Sequence, residues 1–240
     1  MGYETVLLDM DGTLVGVDVK EFVPAYFQML HRWLDRCGVN TPVIPHLRRA
    51  TEAMLQSEDG LRTNQEVFNQ VFFSSEYDFD EEEMLKLFDM FYNSQFKKLR
   101  HLVEPIQGAC EVVDELIEMG CTLVLATNPV FPRDAIVQRL TWGGLCPHQF
   151  ELITSYENSH FCKPSPLYYQ EIVDKVSADP VKTLMVGNDP LEDLCAEEVG
   201  MDTYLVNHFV VERSDVEYKP SYSGRLEQVL SVIREDEEAV

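Results

Sequence analysis

Eight side chains give this 240-residue chain its chemical means: Asp9, Asp11, Thr127, Asn128, Lys163, Asn188, Asp189 and Asp193. Asp9 and Asp11 stand two positions apart, directly after the apolar run Tyr3 to Leu8 and directly before Gly12-Thr13. Thr127-Asn128 closes the run Cys121 to Ala126, and Gly187-Asn188-Asp189 closes the run Thr183 to Val186, with Asp193 four residues on. Lys163 precedes Pro164 in a loop. Each group sits where an apolar segment gives way to polar residues, so carboxylates, a hydroxyl and an ammonium are predicted to gather on one edge of a sheet. Carboxylate oxygens with open positions suit a hard cation such as Mg²⁺, which keeps waters and a substrate phosphate as its other ligands.

The elements that must bring these residues together can be read from periodicity. The run Tyr3 to Leu8 predicts a buried strand ending in a polar glycine turn. Between about 18 and 102 the pattern becomes helical. Phe22, Tyr26, Met29, Leu30, Trp33 and Leu34 recur at three- and four-residue steps, as do Met84, Leu87, Phe88, Phe91 and Tyr92 behind the acidic run Asp80 to Glu83. After Pro105 helices and strands alternate: helix 109–119, strand 121–126, helix near 132–142, strand near 150–153 and a helix after Pro164. Strand 183–186, a helix ending at Gly200, strand 203–206 and a last helix over about 224–234 follow, with the acidic tail Glu235 to Glu238 frayed. Alternation of this kind predicts an α/β fold, a Rossmann-like parallel sheet with helices on both faces. The first strand precedes the helical block and the others follow it. The division is therefore a core of 1–14 and 103–240, carrying an inserted all-α domain over 15–102. Ligands in such sheets sit at the carboxyl ends of the strands, where the eight residues stand.

These motifs, in this order, resemble those of the haloacid dehalogenase-like hydrolase superfamily over nearly the whole α/β part. Asp9-Met10-Asp11-Gly12-Thr13-Leu14 is similar to the first motif, Thr127 to the second, Lys163 to the third, and Val186-Gly187-Asn188-Asp189 through Asp193 to the acidic fourth. The helical insert is similar in place to the family's mobile cap, with hinges expected near 14–18 and 102–106. The resemblance implies a Mg²⁺-dependent phosphatase acting on a small phosphorylated metabolite. In it Asp9 is the nucleophile, Asp11 the general acid and base, and Lys163 a charge neutraliser. Gly12, Thr127, Asn128, Lys163 and backbone N–H groups near Asp11 and Asn128 bind the phosphoryl group. Asp9, the Asp11 carbonyl and Asp189 would be the metal ligands, supported by Asn188 and Asp193. A register shifted by one residue makes Asn188 the ligand instead, with Glu192 or Asp193 behind it. A phosphomutase acting on a sugar phosphate, and an inactive binding module that keeps the fold, are the alternatives. The acid at Asp11, two places after the nucleophile, favours phosphoryl transfer from an oxygen ester.

Taken singly, the same residues have plainer uses. Thr127 and Asn128 could cap a helix, Lys163 could be solvated, and Asp189 and Asp193 could open a helix. A calcium loop starting at Asp9 is excluded, because Leu14 and Lys20 stand where its glycine and glutamate belong. Arg62, Asn64, Lys97 and Lys98 of the insert read as solvent-facing, although they are the insert's candidates for meeting a substrate. The formal charge of −23 leaves no basic stripe, which argues against nucleic acid or an anionic membrane as partner. Six scattered cysteines form no metal or disulfide framework, and no secretory leader is visible at the N-terminus, so the expected setting is cytoplasmic with reduced thiols. Oligomeric state carries no signal in the sequence.

Overall fold

The computed structural model describes residues 2–39, 41–74, 79–212 and 219–238, with side chains as far as Arg234. Strand β1 (Thr5–Leu8) is buried along its whole length and lies at the centre of a parallel sheet. It is flanked by β4 (Thr122–Leu125) on one side and β6 (Thr183–Gly187) on the other. Outside β4 lies β5 (Leu152–Ile153); outside β6 lie β7 (Asp202–Val206) and β8 (Tyr222–Gly224). The order β5-β4-β1-β6-β7-β8 means the chain builds outward from β1 in one direction and then returns to build in the other. The reversal opens a crevice at the carboxyl ends of β1, β4 and β6.

Side-chain alternation along the strands feeds two cores. Val6, Leu8, Leu123, Leu125, Leu184 and Val186 face α5 (Ala109–Glu118), α6 (Arg133–Trp142) and α8 (Val229–Glu238). Leu7, Val124 and Met185 face Tyr168, Tyr169 and Ile172 of α7 (Pro166–Val176).

Between β1 and β4 the chain forms a helical block: α1 (Val19–Arg36), α2 (Val43–Leu55), α3 (Asn64–Phe72) and α4 (Glu81–Ser94). The expected helix start at Asp80 is a true cap, since its carboxylate accepts from the Glu83 amide at 2.8 Å. Thr63 and Glu66 form a reciprocal capping box that opens α3. The block is tied to the sheet by rings: Phe96 stacks on Trp142 of α6 at 5.5 Å, and Tyr26 meets Phe131 edge-on at 5.4 Å. The amides of Asn64 and Gln65, at the start of α3, donate to the carbonyls of Ser159 and Tyr156.

Several boundaries differ from expectation. Val15–Val17 (β2) and Val103–Pro105 (β3) pair antiparallel, Val15 opposite Pro105 and Val17 opposite Val103, so the chain enters and leaves the helical block through one two-stranded ribbon. The segment ending at Gly200 is a 3₁₀ turn over Leu194–Val199, and Phe150 ends a short 3₁₀ turn before β5. The last helix begins at Val229 rather than near 224, because Tyr222–Gly224 adds an outermost strand beside β7. The acidic run 235–238 continues that helix instead of fraying. All six cysteines are free, and among the described residues no helix is long and apolar enough to cross a membrane.

Candidate active site

The turn after β1 is fixed by its own backbone. The Asp9 amide extends the β1–β6 ladder by donating to the Val186 carbonyl at 2.9 Å, which seats Asp9 in the crevice. The amides of Thr13, Leu14 and Val15 all point at the Met10 carbonyl, and that of Gly12 donates to the Val15 carbonyl at 2.7 Å. The Gly12 amide thus closes the turn. Glycine is needed there for two reasons: φ is +85°, and a Cβ would run into the Asn188 side-chain amide.

Lys163 is fully buried and bridges two carboxylates, donating to Asp9 Oδ1 at 2.9 Å and to Asp193 Oδ1 at 2.6 Å. Burial works against its charge, but Asp193 and Asp9 outweigh burial and hold the ammonium well above the usual lysine range. Burial likewise pushes the Asp9 carboxyl up to about 8, against the pull of Lys163 and with the help of the Asp193 charge. The second Asp193 oxygen accepts from the Asp189 amide at 2.9 Å, and the Asp193 carboxylate packs so tightly on Gly187 that no side chain fits at that position.

Thr127 is buried at the end of β4, its carbonyl held by the hydroxyls of Thr154 and Tyr168 at 2.8 and 2.9 Å. Asn128 donates to the Lys163 carbonyl and to Glu192, which ties the loops after β4 and β6 together, and its Oδ1 is buried without a partner. Asn188 is clamped: its oxygen accepts from Thr13 Oγ1 at 3.1 Å and its nitrogen donates to the Phe209 carbonyl at 2.7 Å. One Asp189 oxygen accepts from the amides of Leu191 and Glu192, so it also caps the turn that carries Glu192 and Asp193.

One residue at the site escaped the sequence reading. Arg139 of α6 is buried at 3% exposure and donates from Nη1 to Asp11 Oδ2 at 2.5 Å. Its guanidinium lies over the rings of Phe131 (4.8 Å) and Phe22 (5.6 Å). Its Nε and Asp11 Oδ1 are buried without partners. The signal was present: Ala135, Ile136 and Leu140 mark the buried face of α6, and Arg139 stands on it at a position where spacing calls for an apolar residue. Of the insert's four candidates, Arg62 pairs with Asp59, and Lys97 and Lys98 are exposed. Asn64 departs from the solvent-facing expectation: it is fully buried, and its side chain donates to the carbonyls of Pro129 and Phe161.

Lys163 thus holds Asp9 and Asp193 and Arg139 holds Asp11, with Asp189 joined to Asp193 through its amide and Glu192 to Asn128. Among the described residues no three His, Cys, Asp or Glu side chains converge to cage a metal ion by themselves. Carboxylate oxygens in charge excess, beside the Asp11 carbonyl, are nevertheless hard donors of the kind that hold Mg²⁺ through one or two carboxylates while leaving room for water and phosphate.

The profile of the haloacid dehalogenase-like hydrolase family matches residues 3–200. The chain belongs to this family. Over 223 residues it is 22% identical to the pyrophosphatase PpaX of Bacillus mycoides (strain KBAB4), covering 92% of each chain. Among solved structures it is similar to a predicted phosphoglycolate phosphatase from Haemophilus somnus 129pt, with a TM-score of 0.58 and 18% identity over 96% of this chain and 97% of that one. It is also similar to the HAD-hydrolase YfnB of Bacillus subtilis, solved bound to magnesium, with a TM-score of 0.55 and 21% identity over 97% and 99% of the two chains. At these identities the structural likeness speaks for the shared fold. In this hydrolase Asp9, Thr127 and Asn188 stand beyond the carboxyl ends of β1, β4 and β6.

Proposed function

We propose that this hydrolase is a Mg²⁺-dependent phosphatase that cleaves the phosphomonoester of a small metabolite through an aspartyl-phosphate on Asp9. The observation that carries the reading is the pairing of Asp9 with the buried Lys163 while Asp11, two residues on, keeps one buried oxygen without a partner. Asp9 attacks phosphorus; the phosphorus–oxygen bond to the leaving group breaks, and Asp11 Oδ1 delivers a proton to the departing oxygen while Oδ2 stays on Arg139. Asp11 then takes a proton from water, which attacks the phosphoryl group and returns Asp9 as a carboxylate. Thr127 and the Asn128 loop would receive the phosphoryl oxygens. Bound Mg²⁺ would offset the charge of phosphate and Asp9. Its ligands in this chain would be Asp9, the Asp11 carbonyl and Asp189, with clamped Asn188 as the neutral alternative and Asp193 supporting Lys163. The named substrates of the relatives, pyrophosphate and phosphoglycolate, and the magnesium in the YfnB structure support this class of reaction. The helical block over 15–102 would be the cap of a core formed by 1–14 and 103–240, moving on the β2–β3 ribbon. The free cysteines fit a reducing, cytoplasmic setting.

The test is phosphate release from acetyl phosphate and p-nitrophenyl phosphate. Turnover is expected with Mg²⁺ and is expected to vanish in EDTA and return on adding the metal; release that is indifferent to EDTA would overturn the metal assignment. Arg139 is expected to act by positioning Asp11. Arg139→Gln should lower kcat by about 10- to 100-fold with little change in KM, because misplacing a reacting group costs on that order. Steady-state kinetics separate this from a binding role, in which KM alone would rise.

A further inference from the structure

Between the helical block and the loops after β4 and β5 lies a cavity of about 180 Å³. Its wall is aromatic, formed by Tyr26, Phe27, Phe68, Phe88, Tyr92 and Phe131, and among the described residues it contains no Asp, Glu, Lys, Arg or His. Its polar side-chain atoms are hydroxyls with neighbours of their own. Those of Tyr26 and Tyr92 bond each other at 2.9 Å, that of Thr51 donates to the Leu47 carbonyl, and that of Tyr156 accepts from Gln65.

The cavity adjoins the candidate active site. Phe131 is part of its wall, and the same ring lies 4.8 Å from the Arg139 guanidinium that holds Asp11. Val130, Phe131 and Pro132 also follow Thr127-Asn128 without a break. Asp11 is the residue that would meet the departing oxygen, so its side of the site is where the leaving group must go, and that side leads to an apolar wall. A second phosphate or a carboxylate placed there would lose its water and find no cation, which is prohibitive. Arg139 does not serve, since it is absent from the wall and committed to Asp11. Arg48 lies over Phe27 but is itself exposed and likewise absent from the wall. The volume suits one ring, as an apolar cavity of about 150 Å³ is enough to take up benzene.

We infer that this cavity receives the leaving group of the substrate and selects an alcohol carrying a single apolar, aromatic ring. The inference rests on the phosphatase reading and narrows it. It separates this chain from enzymes whose substrates present a second anion.

The experiment compares 2-phenylethyl phosphate with ethyl phosphate, two esters of similar leaving-group chemistry that differ by the ring, alongside phosphoglycolate, pyrophosphate and acetyl phosphate. The ring is expected to raise kcat/KM by about 100-fold. Thr51→Trp, which fills the cavity, should reduce that ratio at least about tenfold, and Phe88→Ala, which enlarges it, should move the preference toward 2-(1-naphthyl)ethyl phosphate. Using ratios within each variant removes any effect on folding. Hydrolysis of ethyl or acetyl phosphate with no gain from the ring, or a preference for phosphoglycolate, would overturn this inference and leave the phosphatase reading intact, while a preference for pyrophosphate, a phosphoanhydride, would overturn this inference and the ester part of that reading. No hydrolysis of any of the five would overturn that reading and this inference with it.

Discussion

Asp9→Asn is expected to retain less than about 10⁻⁴ of wild-type phosphate release, the scale of loss seen when a nucleophile acting with its partners is removed. An amide in place of the carboxylate neither attacks phosphorus nor becomes an acyl phosphate that water can open. Rapid acid quench with ³²P-labelled acetyl phosphate provides the direct check. Wild type should carry a label that hydroxylamine removes, as expected for an acyl phosphate, and Asp9→Asn should carry none. A labelled Asp9→Asn protein would move the nucleophile elsewhere. The variant should stay folded, because Asn matches Asp in shape and the Asp9 main-chain bond to Val186 does not involve the side chain.

Lys163→Met is expected to cost stability as well as turnover. The ammonium separates two buried carboxylates, and taking away one partner of a buried ionic cluster typically costs about 3–5 kcal/mol. For a chain of this length that corresponds to a fall in Tm of about 10 °C. Thermal unfolding in EDTA at pH 7 measures it, and a fall under about 2 °C would show that Asp9 and Asp193 do not depend on this charge. The sign of the pH effect follows from the raised lysine pKa. The contribution is fully present below the unfolded value of about 10.4 and is lost as pH rises through the higher folded value. On the alkaline side the gap between wild type and variant should therefore narrow above about pH 10.

Much of this was legible in the sequence because the physics involved is local. A run such as Leu7-Leu8 followed by Asp9-Met10-Asp11-Gly12-Thr13 shows both where a buried strand ends and which groups stand at its end. Lys163 was legible only through its neighbours in the family order, since nothing around it in the chain tells of its burial between Asp9 and Asp193. Strands β2, β3 and β8 span three residues each, too short to show a period, and exist because a partner strand lies alongside. Arg139 was missed because periodicity marks which face is buried but not which buried position carries a charge. Its partner is 128 residues away in the chain. Asn64 was missed for a related reason: its donors are used by carbonyls of loops that come close only in the folded chain.

The β2–β3 ribbon has a consequence for how such a chain can change over generations. Because Val17 lies opposite Val103, the two ends of the eighty-odd residues between them are neighbours across one pair of strands. A segment whose ends already meet can be shortened, lengthened or exchanged for another without moving the strands that hold Asp9, Thr127 and Asn188 in place. On the function proposed above, the reacting groups and most of the wall that would choose the substrate are thus inherited on separable pieces of one gene. A change of insert would then alter most of that wall while the groups on the sheet edge pass on unchanged.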